Sequence, residues 1–264
     1  MPLRTVNDAQ RRKGEGVCHT YFAHEILADF PVAVDMHADA KQLEKPPWSA
    51  LTTTHAIFAL GNDLARRYPP DIAPMAAIRE VSDACLRALA SLMAPDDIVG
   101  QFGAQPVPPS GNLVAMAQMP VKQMVYEPRE AAPATGKHVT LTMADIPEMM
   151  QLVELTKPGP FAARTIVLGS YIGIRKAGQL VAMAGERMRF DGFTEISAVC
   201  THPDHRGRGH ALLLVDVLIR GILDRGETPF LHIYSGNTNA AALYNKIGFA
   251  QRRSMTVTVL KRHS

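Results

Sequence analysis

The 264-residue sequence predicts an α/β protein in two halves. The second half reads as a mixed central sheet flanked by helices, and the first as a smaller α/β unit. Three observations predict this. A β-branched and apolar run, Ile196 to Thr201, passes through His202-Pro203-Asp204-His205 into a glycine-bearing loop and then an apolar helical run from Gly209. Residues 138–262 alternate between strand and helix patterns. Between the halves, Arg129 to Lys137 reads REAAPATGK, a stretch rich in Ala, Pro and Gly with the character of a linker.

Taken in order, residues 1–18 are polar, carry Arg11, Arg12 and Lys13, and read as a flexible tail. Residues 19–128 form the N-terminal α/β half. Pro46-Pro47-Trp48 opens a segment, and Ser49 to Arg67 is patterned as a helix stopped by Tyr68-Pro69-Pro70-Asp71. Ile78, Val81, Cys85, Leu86, Leu89 and Leu92 recur near helical period, predicting a second helix over 78–93. Ile98 to Phe102 and Leu113 to Tyr126 read as strands, with Met116, Met119 and Met124 expected to fill core. After the linker at 129–137, residues 138–264 form the second domain. His138 to Thr142 alternates as a strand, and a helix with Pro147 in its first turn runs to Thr156. Tyr171 to Arg175 and Gln179 to Arg187 pair as a hairpin across Lys176-Ala177-Gly178. Phe193 to Thr201 is a strand, Gly209 to Arg225 a helix closed by Gly226. A strand over 228–234, a short helix over 239–247 and a last strand over 251–261 complete the pattern.

Composition excludes several classes. Hydrophobic residues make up 47%, enough for a sizeable core, and the net charge of +3 gives no argument for nucleic-acid or membrane binding. Cys18, Cys85 and Cys200 are scattered and odd in number, which suits a reducing cytoplasm better than a disulfide scaffold. No apolar run approaches a membrane span, and no apolar stretch follows the basic Arg11-Arg12-Lys13, so a signal peptide is not expected. His19, His24, His37 and His55 lack metal-like spacing. His202, Asp204, His205 and His210 cluster, yet they straddle the turn that the glycine loop needs, so no metal site is expected.

The loop Arg206-Gly207-Arg208-Gly209-His210-Ala211 joins a strand to a helix N-terminus, where unpaired N–H groups favour an anion. It is not a P-loop, because no Lys follows Gly209, and not a dinucleotide fingerprint, because position 212 is Leu212. What fits is R-x-x-G-x-A over Arg206, Gly209 and Ala211. With the downstream segment Asn237 to Phe249, which ends LYNKIGF, it resembles the acyl-coenzyme A loop and closing signature of the GNAT acetyltransferase superfamily. The resemblance covers residues 138–262. The first half carries neither motif, and its similar size suggests a degenerate copy of the same fold.

The resemblance implies an N-acetyltransferase that moves an acetyl group from acetyl-CoA to a primary amine by direct attack in a ternary complex. It implies that the backbone of Gly207, Arg208, Gly209, His210 and Ala211 takes the pyrophosphate, with charge from Arg206 and Arg208. It implies that the strand at Val199, Cys200 and Thr201 pairs with the pantetheine arm. Tyr244 falls where the family carries its general acid. Asn237 matches a coenzyme-bonding position or caps a helix. Glu195, in Phe193-Thr194-Glu195-Ile196, is expected as the base acting through water, with His232 on the following strand as its rival. Cys200 lies among apolar neighbours and is expected to be inert, not an acyl carrier. The implied acceptor is a small-molecule or peptide amine and the implied assembly a monomer or homodimer. A module that senses acyl-CoA without turnover is the alternative.

Overall fold

The computed structural model describes residues 39–129 and 134–263, and the tail expected over 1–18 lies outside them. After a 3-10 turn at Asp39–Glu44, helix α1 spans Pro46–Thr52. The helix expected to reach Arg67 stops here. Thr52, Thr53 and Thr54 are β-branched, and the hydroxyls of Thr52 and Thr53 donate back to the carbonyls of Trp48 and Ser49. Strands β1 (Leu60–Gly61), β2 (Ala65–Arg67) and β3 (Met75–Ile78) follow. Ile78 therefore closes a strand instead of opening a helix. Helix α2 (Asp83–Ser91) starts at Ser82, whose hydroxyl accepts from the Cys85 N–H, and Val81 is left exposed. Strands β4 (Ile98–Gly103) and β5 (Leu113–Tyr126) lie where expected.

The second half matches its expected order closely. It contains β6 (Val139–Thr140), α3 (Ile146–Thr156), β7 (Tyr171–Lys176), β8 (Gln179–Phe190) and β9 (Phe193–Thr201). Helix α4 (His210–Leu223), β10 (Thr228–Tyr234), α5 (Thr238–Ile247) and β11 (Phe249–Arg262) complete it. The eleven strands among the described residues belong to one mixed sheet in the order β1-β2-β3-β4-β11-β5-β10-β9-β8-β7-β6. Strand β5 runs between β11 and β10, antiparallel to both, so strands from before and after the linker alternate at the centre. The pairs β3–β4 and β9–β10 are parallel.

Each face of the sheet has its own core. Helices α4 and α5 cover one face, where Leu214, Val215, Leu218 and Ile222 pack against Val181, Ile196, Leu231 and Ile233. Burying each such side chain contributes about 1.5–3 kcal/mol. On the other face, Tyr68, Met75, Phe102, Phe190, Phe193, Phe230 and Val257 form an aromatic-rich core joined by Leu51 of α1. Alternation along β10 sends Phe230 and Leu231 to opposite cores, which places His232 on the aromatic side. Met124 is core as expected, whereas Met116 and Met119 are 57% and 38% exposed.

His55 sits beneath this core, 3% exposed, with its Nδ1 2.9 Å from the Tyr68 hydroxyl. Burial lowers its pKa from 6.5 to about 4. The unfolded chain therefore binds a proton here that the folded chain refuses between those values, so stability falls as pH drops from 6.5 to 4, by up to about 3 kcal/mol. Melting temperatures measured at pH 7, 5.5 and 4 should show this loss, and His55→Gln should remove it. An unchanged pH dependence in the variant would assign the loss to other groups.

Candidate active site

Strands β9 and β10 pair only over Phe193–Glu195 and Thr228–Phe230. Beyond that they part, and the β10-facing edge of β9 from Ile196 to Thr201 borders a cleft of about 710 Å³. On its other edge β9 stays paired with β8, but Gly185↔Ser197 and Met183↔Cys200 enclose three steps on β9 against two on β8. The extra residue is a β-bulge, and Ala198 takes a left-handed φ of 52° to form it. Such a conformation costs a non-glycine residue about 1–2 kcal/mol. It re-aims the strand at the point where the cleft opens. Val199, Cys200 and Thr201 line that edge, where the backbone polar groups of β9 have no partner on β10.

The loop after β9 ends at the N-terminus of α4. Gly207 and Gly209 have φ of 72° and 76°, and a Cβ at either would meet open space, so the backbone and not a side chain forms this surface. Gly209 caps α4 without a side-chain hydrogen bond. The first N–H groups of the helix, from His210 and Ala211 onward, therefore lack intrahelical partners and face an anion-favouring field. Arg206 lines the cleft and donates to the Thr201 carbonyl at 3.4 Å. Arg208 donates to the Asp204 carbonyl and lines an adjoining hollow with Lys137, Lys176 and His210. Burial and then the neighbouring cations Lys176, His205 and Arg208 lower the His210 pKa. Among the described residues, no His, Cys, Asp or Glu group is arranged to hold a metal ion.

Glu195 is fully buried. Arg187 holds it with two bonds of 2.7 Å, Nε to Oε2 and Nη2 to Oε1, and Oε1 also lies 2.7 Å from His232 Nδ1. Burial opposes ionisation of this carboxyl, but the Arg187 charge and the bonds from His232 and Arg187 prevail and bring its pKa to about 2. A carboxylate so committed is a poor proton acceptor, which counts against the base role expected of Glu195. The arrangement instead orients His232. Gln123 Nε2 donates to the Leu43 carbonyl at 2.9 Å and lies 3.3 Å from His232 Nε2, while Gln123 Oε1 accepts from Arg252 at 3.0 Å. Arg252 is held in turn by Glu44 at 2.6 Å. With Gln123 turned this way, its amide donates to Nε2, so His232 carries its proton on Nδ1, towards Glu195, and its lone pair on Nε2. His232 lines the cleft, its ring 5.0 Å from that of Phe102.

Tyr244 of α5 lines the same cleft and packs edge-on to Phe249. Burial raises its pKa, so the phenol stays protonated. Asn237 also lines the cleft, but its Oδ1 caps α5 by accepting from the Ala240 N–H at 3.0 Å. Cys200 is buried, and burial raises its thiol pKa, so it is a poor nucleophile. Three participants went unnoticed in the sequence: Arg187, Gln123 and Arg252. Arg187 carried one signal, a charge with Glu186 and Arg189 in a strand that is apolar from Leu180 to Gly185, which demands a buried partner.

A solved protein from Novosphingobium aromaticivorans, described as a candidate acetyltransferase of the GNAT family, is 36% identical over 84% of this chain and 99% of its own, with a TM-score of 0.79. The chain belongs to the GNAT family. The family model described as FR47-like protein matches residues 171–258, which run from β7 into β11. Two further GNAT structures share the fold at low identity. A GCN5-related N-acetyltransferase from Kribbella flavida is 15% identical over 89% of this chain and 97% of its own, with a TM-score of 0.52. A GCN5-related N-acetyltransferase-like protein from Streptococcus suis is 14% identical over 86% and 98%, also at 0.52. No curated protein matches the chain. The mixed sheet flanked by helices matches the GNAT fold. No helix among the described residues is long and apolar enough to cross a membrane.

The Arg187–Glu195 pair makes a stability prediction. Removing one member strands a buried charge, so Glu195→Gln and Arg187→Met should each cost about 3–5 kcal/mol in denaturant unfolding, and the double variant less than their sum. Because the Glu195 pKa is depressed, the pair contributes fully above pH 4.5 and less as pH falls towards 2. Strict additivity of the two substitutions would show that the residues are not energetically coupled.

Proposed function

We propose that the chain is an N-acetyltransferase that moves an acetyl group from acetyl-CoA to a primary amine by direct attack in a ternary complex. The observation that carries this is the cleft between β9 and β10, open along the edge from Ile196 to Thr201, with His232 in its wall and Arg206, on the loop that leads to the uncapped N-terminus of α4, in its lining. The fit to the coenzyme is physical. An extended amide-bearing arm matches the unpaired edge of β9, and a pyrophosphate matches the N–H groups from Gly207 to Ala211. The hollow with Lys137, Lys176 and Arg208 adds positive charge beside the N-terminus of α4.

Acetyl-CoA would supply an acetyl thioester already activated towards amines. The residues of the chain do the rest. An amine arrives as ammonium, displaces the Gln123 amide from His232 Nε2 and gives that nitrogen its proton, the imidazolium being stabilised by Glu195 through Nδ1. The amine nitrogen bonds to the acetyl carbon, the carbon–sulfur bond breaks, and the second proton of the nitrogen leaves with solvent as the amide forms. Tyr244 gives a proton to the departing sulfur and regains one from solvent. Ammonium and acetyl-CoA thus yield amide, free coenzyme A thiol and one proton. Cys200 takes no part, since its buried thiol is held neutral, and this supports direct attack over a covalent acyl-enzyme. The free thiols of Cys85 and Cys200 fit a reducing, cytoplasmic setting.

Two experiments test this. Gly209→Asp should weaken coenzyme A binding at least tenfold relative to Gly209→Asn, measured by calorimetry. Both side chains tolerate a left-handed φ, but only Asp brings negative charge to the helix N-terminus. Equal affinities would refute the phosphate assignment. His232→Gln should lower kcat/KM by about 10²–10⁴ and move the ascending limb of the pH–rate profile towards the pKa of the amine itself. Wild-type rates and profile in that variant would leave proton removal to another group.

A further inference from the structure

The floor of the cleft beyond His232 is an apolar surface built from cross-strand pairs. On β5, β11 and β4, Val121 lies opposite Met255, and Met119, Val257 and Phe102 form one row across the three strands. Met75 of β3 and Ile98 of β4 also line the cleft. Two of these side chains remain substantially exposed, Ile98 at 50% and Met119 at 38%. Large apolar groups exposed on the floor of a cleft mark a place where apolar matter docks.

The charge of the lining is as informative. Lys157 and Arg206 bring positive charge to the cleft lining, Arg187 there is paired with Glu195, and no carboxylate among the described residues lines it. Glu195 is fully buried and neutralised by Arg187. A polycation entering here would give up water without gaining a counter-charge and would meet like charges instead. Hence we infer, building on the acetyltransferase reading above, that the acceptor is a primary amine on an extended apolar body with no second positive charge. Its amine meets His232 Nε2 and its body lies over Met119, Val121, Val257 and Phe102. The body belongs to the acceptor and not to a longer acyl group, because the apolar rows begin beside the residue that deprotonates the amine.

The test is a kinetic panel with the full chain and acetyl-CoA, using ethylamine, hexylamine, 2-phenylethylamine and spermidine. The kcat/KM for hexylamine should exceed that for ethylamine by about 10–100-fold, the scale of burying about two to three of its four extra methylenes. Spermidine should be acetylated more slowly than hexylamine despite its length. Met119→Asp changes a half-exposed residue, so the fold should persist, with coenzyme A affinity by calorimetry as the control. It should lower the hexylamine kcat/KM at least tenfold and raise that for spermidine. A preference for spermidine in the wild type, no dependence on amine length, or a length dependence seen only with hexanoyl-CoA in place of acetyl-CoA would overturn the inference while leaving acetyl transfer standing. Absence of coenzyme A binding would instead overturn the acetyltransferase reading and this inference with it.

Discussion

The site rests on one buried ion pair, Arg187 with Glu195. Two charges withdrawn from water are expensive unless every lone pair is satisfied, and here both carboxylate oxygens are. Glu195 Oε1 has to serve Arg187 and His232 together, so the pair fixes the imidazole as well as itself. Its position is dictated by the sheet. Glu195 is the last residue of β9 paired to β10, opposite Phe230, and two residues further along β10 lies His232. The carboxylate thus stands at the fork where the strands separate, on the dry side, while the histidine faces the opening.

The fork itself follows from backbone constraints more than from side chains. Strand β10 keeps five pairs with β5 on one side, from Phe230 to Tyr234, while its pairing with β9 ends at Phe230. The bulge at Ala198 bends β9 away just after that point. A sheet that parts in its middle would leave rows of unpaired N–H and C=O groups, which is costly unless water or a ligand takes them. The cleft is therefore a gap in the sheet that a backbone-like ligand could close, and the loop carrying Arg206 leads from it to the uncapped start of α4.

Much of the second half was legible. Strands β9 and β10 fall at their expected limits, because β-branched runs bounded by Pro203 and Gly226 are strong signals. The glycine loop was readable because it is local: strand, two glycines and helix adjoin in sequence. The first half was harder. The Ala and Leu content of Ser49 to Arg67 reads as one helix, yet the β-branched Thr52 to Thr54 end it and two short strands follow. The network around His232 was harder still. Glu195 reads as the base itself, and nothing near it in sequence announces Arg187 eight residues back or His232 thirty-seven ahead. Pairing across strands depends on register, and register is what a single sequence shows least.

The two halves are chemically interdependent at the base. His232 Nε2 faces an amide that comes from β5, and that amide is turned by Arg252 of β11 and the Leu43 carbonyl ahead of α1. If Gln123 were flipped, its oxygen would accept from a protonated Nε2, and the lone pair that the proposed chemistry needs would move to Nδ1, against the Glu195 carboxylate. That tautomer places two acceptors face to face at 2.7 Å, which is unfavourable. Glu195 from one side and Gln123 from the other thus select the same tautomer independently. The N-terminal residues also supply Met75, Phe102 and Met119 to the cleft floor. They are part of the site itself, holding both the proton position and the surface on which an acceptor would lie.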